Sequence, residues 1–487
     1  MNPLVEASRH ITRRQFFGRT AQGIGVVALA SLLAEDGLAA TAGKGLLPPL
    51  PGLPHMPGKA KRVVVLWQGG GPSNVDLFDY KPNLVPLRLQ PLPESVRQGT
   101  RLSTMTSGQS QFPILPAIKP FKQYGKSGRW MSEMLPHTGS IVDDICVVKS
   151  MQTEAVNHAP GVTFFLTGSQ IPGRPSLGAW ATYGLGSMTA DLPAFVVMTS
   201  TDQERSCGQL FFDYYWGSGF VPSKYQGVRF RTEGDPVLYL SNPTGMSSKL
   251  RRGMLDDLAE LNQQKLAEFG DPEIDTRITQ YEMAYKMQTS VPELLDISKE
   301  PQHVLDMYGP DVQRKGSYAR NCLLARRLLE RGTRFVQLMH SGWDQHQNLS
   351  TQLEIQCRDT DQPSAALVQD LKQRGMLDDT IVLWGGEFGR TVFVQGDIKK
   401  PNGHGRDHFG PCYSMWVAGG PFKQGIEYGE TDEFSYKVVK DPVHVHDMQA
   451  TLLAGLGIDH TRLTFYYQGR HFRLTDVHGE VVKKILV

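Results

Sequence analysis

The chain has 487 residues, with 51 Lys+Arg against 49 Asp+Glu, a formal net charge of +2 and 40% hydrophobic residues. Charged residues at 21% and aromatics at 9% are ordinary globular values and exclude disorder as the main state, while the length calls for one large α/β domain or two ordinary ones. The near-balanced charge supplies no broad phosphate-neutralising field, which argues against a nucleic-acid binder. Five scattered cysteines without a C-x-x-C pair imply neither a disulfide framework nor a cysteine-held zinc.

The N-terminus reads as an address. Thr12-Arg13-Arg14-Gln15-Phe16-Phe17 is a twin-arginine signature, followed by a charge-free stretch from Thr20 to Leu33 and a small-residue site at Ala40-Thr41-Ala42. As a helix that stretch spans only about 21 Å, short of a roughly 30 Å hydrocarbon core, so no transmembrane anchor is expected. Residues 1–42 are read as a twin-arginine signal peptide, 43–59, rich in Gly and Pro, as a linker, and 60–487 as one folded domain. The expected location is the periplasm or the outside of the cell.

Arg62–Trp67 is the first predicted strand, a continuous apolar run of the kind buried on both faces, and it ends in the loop Gln68-Gly69-Gly70-Gly71-Pro72-Ser73. Residues 80–130 are Pro-rich and read as an insertion with short elements. Ile145–Val148 is a second strand, and Asn157–Leu166 a helix with Pro160 in its first turn. Ala194–Met198 is strand-like, and Ser247–Tyr285 a charged helical excursion covering one side of a sheet. Then come the helix Tyr318–Arg331 stopped by Gly332, the strand Phe335–Met339, the helix Ser364–Arg374, and the strands Thr380–Trp384 and Tyr413–Ala418. Alternation at this spacing predicts parallel βαβ units, with ligands bound beyond the carboxyl ends of the strands. Ser73 with Asp76, Asp344 with His346, and Glu387 with Arg390 all fall there.

Asp344-x-His346 is a compact carboxylate–imidazole pair, and Gly403-His404-Gly405-Arg406-Asp407-His408 adds metal-type ligands. With Glu387, this mixed oxygen and imidazole set suits zinc, manganese or a similar divalent ion. A D-x-H loop also serves as a plain hydrogen-bonded turn, and that reading stays open. Asn157-His158 opens a helix, where the positive dipole end favours an oxyanion; equally, Asn157 caps the helix and His158 packs. Arg174 meets an anion or, as we favour, a carboxylate. His444 and His446 could be ligands, although a capped helix explains Asp447 better.

Taken in order, Gly69-Gly70-Gly71-Pro72-Ser73 with Asp76, Asn157-His158 through Leu166-Thr167-Gly168, Gly342–His346, Gly386–Arg390, Gly405–His408 and Val445-His446-Asp447 resemble the family called domain of unknown function 1501. That family is similar to the alkaline phosphatase superfamily. The resemblance implies a three-layer α/β/α, sulfatase-like core with a mostly parallel sheet and inserted helices. Aligned on Leu166-Thr167-Gly168, His158 stands where a sulfatase carries its Cys or Ser nucleophile, and Val162 where it carries Arg. Asp344, His346 and His408 look like the Asp, His, His group of a metal site, while Glu387-Phe388 stands where an Asp-His pair would be. The expected function is an exported hydrolase of sulfate or phosphate esters that uses zinc, manganese or calcium. In it Asp344, His346 and His408 hold the ion, His158 and Glu387 are catalytic, and Ser73, Asn157 and Arg390 bind an anionic small-molecule or glycan ester. The alternative is a non-catalytic envelope protein that binds such an anionic ligand.

Overall fold

A computed structural model describes residues 45–201, 211–231, 235–237, 240–243, 245–400 and 402–487. The expected signal peptide, 1–42, lies outside the described residues.

The apolar runs form a nine-stranded sheet: β1 (Arg62–Gly69), β2 (Ile145–Gln152), β3 (Phe195–Thr201), β4 (Val228–Phe230), β5 (Phe335–Ser341), β6 (Thr380–Gly385), β7 (Tyr413–Ala418), β8 (Ile426–Tyr428) and β9 (Val443–His444). Their order is β8-β2-β7-β6-β1-β5-β3-β4, with β9 also paired to β2. β1 lies parallel to β5 and β6, and β3 parallel to β5 and β4. β7 alone runs antiparallel to its neighbours, β2 and β6. The sheet is therefore mostly parallel, as expected.

The helices that matter here are α1 (His158–Thr167), α2 (Leu177–Leu185), α3 (Ser248–Phe269), α4 (Pro272–Leu295), α5 (Tyr318–Glu330), α6 (Leu349–Gln373) and α7 (Val445–Gly455). Side chains alternate across a strand, and β1 uses both faces. Val64 and Leu66 enter a core with α4, α5 and α6, whereas Val63, Val65 and Trp67 enter a second core with α1, α2 and α7. That is a three-layer α/β/α arrangement. α3 buries no residue, in keeping with a solvated charged face, while α4 contributes Met287, Val291 and Leu294 to the core. Among the described residues, no helix is long and apolar enough to cross a membrane.

Two expectations need correction. The described part of the expected linker, from Gly45 on, lies against the fold. Leu47 is buried, and Leu46, Leu50 and Met56 donate backbone hydrogen bonds to Thr189, Gly184 and Gly457. The Gly and Pro content shapes a packed strap there instead of a free tether. α6 also begins at Leu349, well before Ser364, and carries Pro363 inside it.

Candidate metal centre

The carboxyl ends of β1, β2, β5 and β6 meet the start of antiparallel β7 at one edge, and the loops there converge. The loop after β5 carries Asp344 and His346. The loop after β6 carries Glu387 and then Arg390, which pairs in a short antiparallel ladder with His408 just before β7. The loop after β2 leads to His158, the first residue of α1. Gly70, after β1, has φ +118° and passes so close that a Cβ there would lie 2.4 Å from the Asp344 backbone nitrogen. Only glycine permits that approach.

One donor atom from each of His158, Asp344, His346 and His408 lies within 4.8 Å of the other three. Asp344 Oδ1 stands 2.8 Å from His346 Nε2, 3.1 Å from His158 Nε2 and 3.4 Å from His408 Nε2. The other nitrogen of each ring is held from behind. His158 Nδ1 donates to Glu387 Oε1 at 2.6 Å, His346 Nδ1 to Gln395 Oε1 at 2.6 Å, and His408 Nδ1 to the Val156 carbonyl at 2.9 Å. With Nδ1 carrying the proton, each neutral ring turns an Nε2 lone pair inward, which is the tautomer and orientation of a metal ligand.

Two features test whether the residues fit an ion. His346 Nε2 and His408 Nε2 face each other at 3.0 Å; two lone pairs at that distance repel unless a proton or cation lies between them. His158 Nε2 is buried and, despite its 3.1 Å contact with Asp344, has no aligned hydrogen bond. A divalent cation satisfies both, and three imidazoles with one carboxylate suit zinc, manganese or a similar metal.

The electrostatics follow from burial and partners. Burial opposes ionisation of Asp344, but the Arg390 guanidinium and the three histidines outweigh it and hold the carboxyl far below its usual range. Burial, with help from Arg390, pushes the His408 ring down to about 4. Burial likewise disfavours the charged form of His158, but Asp344 and Glu387 on its two sides prevail and raise its pKa.

A family model described as Protein of unknown function (DUF1501) matches residues 60–486. The chain belongs to that family. No curated protein sequence matches it. Among solved structures, the chain is similar to a sulfatase from a Pseudoalteromonas species, with 11% identity and a TM-score of 0.33 over 90% of this chain and 71% of that one. It is also similar to a protein in the alkaline phosphatase superfamily from Vibrio parahaemolyticus (11% identity, TM-score 0.33, 82% and 67% covered). A third is the alkaline phosphatase from the Antarctic bacterium TAB5 (10% identity, TM-score 0.29, 76% and 95% covered).

Of the residues singled out from the sequence of this DUF1501 protein, Asp344, His346 and His408 come together. His158, expected to face a substrate, joins them as a fourth inward donor. Glu387 lies one layer out, fully buried, accepting the Gly70 backbone N–H at 2.9 Å as well as His158 Nδ1. Asn157 is exposed at the α1 N-cap and makes no side-chain cap bond.

Ser73 and Arg390 differ from expectation. Ser73 is fully buried, with its hydroxyl spent on Asp76 at 2.6 Å. Arg390 is 1% exposed and gives its donors to the carbonyls of Gly70, Gly71, Trp343 and Arg406 and to Asp344 Oδ1 at 2.7 Å. Neither presents a group to a substrate; Arg390 ties three loops together behind the carboxylate. Sequence reasoning missed Gln395 and the Val156 carbonyl, because outer acceptors leave no motif. Arg406 was in view, and it forms a buried bidentate pair with Asp76 that fixes the His408 loop.

Proposed function

We propose that this chain is an exported, metal-dependent hydrolase of sulfate or phosphate esters, with His158, Asp344, His346 and His408 holding a divalent ion. The observation that carries this reading is the set of three inward Nε2 atoms around Asp344 Oδ1, each ring pinned from behind. When bound, the ion supplies Lewis-acid polarisation of an ester oxygen. Asp344 offsets one positive charge, and Arg390 keeps that carboxylate ionised without touching the substrate. Glu387 fixes the His158 tautomer and so keeps its Nε2 available. Taking +2 for the ion, −1 each for Asp344 and Glu387 and +1 for Arg390, with neutral histidines, the centre carries +1. A net positive, largely buried centre favours an anionic ester. Asn157, exposed and next to His158 in the chain, would donate to that anion.

The reading is tested by elemental analysis of the purified protein, followed by turnover of aryl sulfate and aryl phosphate esters with zinc, manganese or calcium. A stoichiometric ion with no turnover of any ester would instead support a non-catalytic binding protein of the envelope. That second reading is supported by the sequence resemblance, which implies His158 in the place of a sulfatase nucleophile, and by its inner nitrogen, which faces Asp344 at 3.1 Å. Export is tested separately. Arg13→Lys with Arg14→Lys should retain the precursor in the cytoplasm, because the receptor reads the arginine pair as an address and not as charge; unchanged export overturns that part.

A further inference from the structure

Next to the C-terminal end of α1 lies a cavity of about 520 Å³, where apolar Phe164 and Ile171 meet Glu154, Arg174, His444, His446, Asp476 and His478. It shares no ligand with the metal centre, although the two lie on either side of one short loop: Val156 holds His408, and Glu154 holds His444. Its volume falls in the roughly 300–1,000 Å³ range of small-molecule sites.

The hydrogen bonds fix what its walls offer. Gln449 Nε2 donates to the carbonyls of Phe164 and Phe165, so Gln449 Oε1 must accept. His446 Nδ1, 3.0 Å from that oxygen, therefore carries the proton, and its Nε2 is a lone pair. His446 is 4% exposed, and this Nε2 has no hydrogen-bond partner among the described residues. His444 is fixed too. Its Nδ1 accepts the His446 backbone N–H, so its Nε2 donates to the Glu154 carboxylate at 3.0 Å. Burial lowers the pKa of His446, which keeps the ring neutral. Glu154, largely exposed, retains free lone pairs. Arg174 is the cationic donor in the wall; Asp476 holds its Nη2 at 2.9 Å, and its buried Nη1 has no hydrogen-bond partner among the described residues.

A neutral imidazole acceptor next to a carboxylate repels an anion and welcomes hydroxyl donors, while Arg174 asks for an acceptor. Hydroxyl groups answer both. Within the cavity wall, Phe164 and Ile171 supply apolar surface beside these polar groups. An apolar wall with a few placed polar groups suits a small ligand that has both a C–H face and hydroxyls, as a sugar ring has. We infer that this cavity is a binding site for a neutral sugar unit, with His446 Nε2 and Glu154 accepting from its hydroxyls and Arg174 donating to one.

The inference stands apart from the hydrolase reading, since binding here needs no turnover at the metal centre. The test uses the full metal-loaded protein and the methyl glycosides of glucose, galactose, mannose and fucose, followed by saturation-transfer NMR and calorimetry. At least one glycoside should bind. His446→Phe and Arg174→Ala should each weaken it about tenfold, the loss expected for one unmatched buried hydrogen-bonding group, while metal content stays unchanged. Arg174 is partly exposed, so its variant keeps the test sound if the His446 variant fails to fold. His346→Ala should leave glycoside binding intact. The inference is overturned if no glycoside binds, if binding is indifferent to both cavity variants, or if His346→Ala abolishes it. It is equally overturned if inorganic sulfate or zinc occupies the cavity in place of the sugars.

Discussion

Replacing Arg390 with Met separates a residue that builds the centre from one that grips a substrate. The guanidinium is 1% exposed, donates to four backbone carbonyls, and lies 2.7 Å from Asp344 Oδ1. Methionine fills much of the volume but leaves those carbonyls without a donor and Asp344 without its cation. Breaking a buried ion pair by removing one partner costs about 3–5 kcal/mol, and water cannot easily reach the orphaned carbonyls to reduce that. We expect Arg390→Met to lower stability by about 4 kcal/mol in chelator, read as a fall in the urea midpoint. Added zinc or manganese should restore more stability to the variant than to the parent, because the ion replaces the lost positive charge beside Asp344. A variant with the parent's urea midpoint but a raised KM for an ester would refute this reasoning and return Arg390 to the role of anion binder.

The strands of this fold are legible because β1, β5, β6 and β7 are largely apolar runs buried on both faces, as strands in the middle of a helix-covered sheet are. α5 was equally clear: its apolar residues recur at helical spacing and Gly332 follows. α6 was not, because its first half buries Gln352, Gln356, Thr360 and Asp361. These polar residues break the hydrophobic period, yet they are partnered: Gln356 meets His340 Nε2 at 3.0 Å, and Asp361 accepts from His137 and Thr138. The candidate metal ligands are visible as residue types at strand ends, since such loops gather at one sheet edge. The division of labour among them was not visible. Whether His158 enters the cluster, and whether Arg390 faces substrate or backbone, depends on sheet order and on carbonyl positions that no local motif encodes.

Three further outcomes follow from the same geometry. Gln395→Leu removes the acceptor behind His346 and should weaken ion binding about 10–100-fold, as read by competition with a chelating dye, whereas His408→Ala should leave almost no bound ion on elemental analysis. Metal-induced thermal stabilisation should be larger near pH 7.5 than near about pH 5.5. The sign comes from His158: its raised pKa makes the protonated ring stabilise the metal-free fold below its unfolded value near 6.5, that contribution fades as pH rises through the folded pKa, and the ion must displace that proton. The last outcome concerns Gly70→Ala. Its new Cβ would meet the Asp344 nitrogen at 2.4 Å and the Trp343 carbonyl carbon at 2.6 Å, both backbone atoms that cannot turn aside, at φ +118°. The loop after β1 must then part from the loop after β5, carrying Asp344 away from the histidines and breaking the Gly70 N–H bond to Glu387. Gly173 has nearly the same φ, +116°, with open space around it, so Gly173→Ala carries the backbone strain of roughly 1–3 kcal/mol without the collision. Gly70→Ala should therefore lose its ion on elemental analysis while Gly173→Ala keeps it, and equal metal content in the two would mean that the close approach of Gly70 does not hold Asp344 in place.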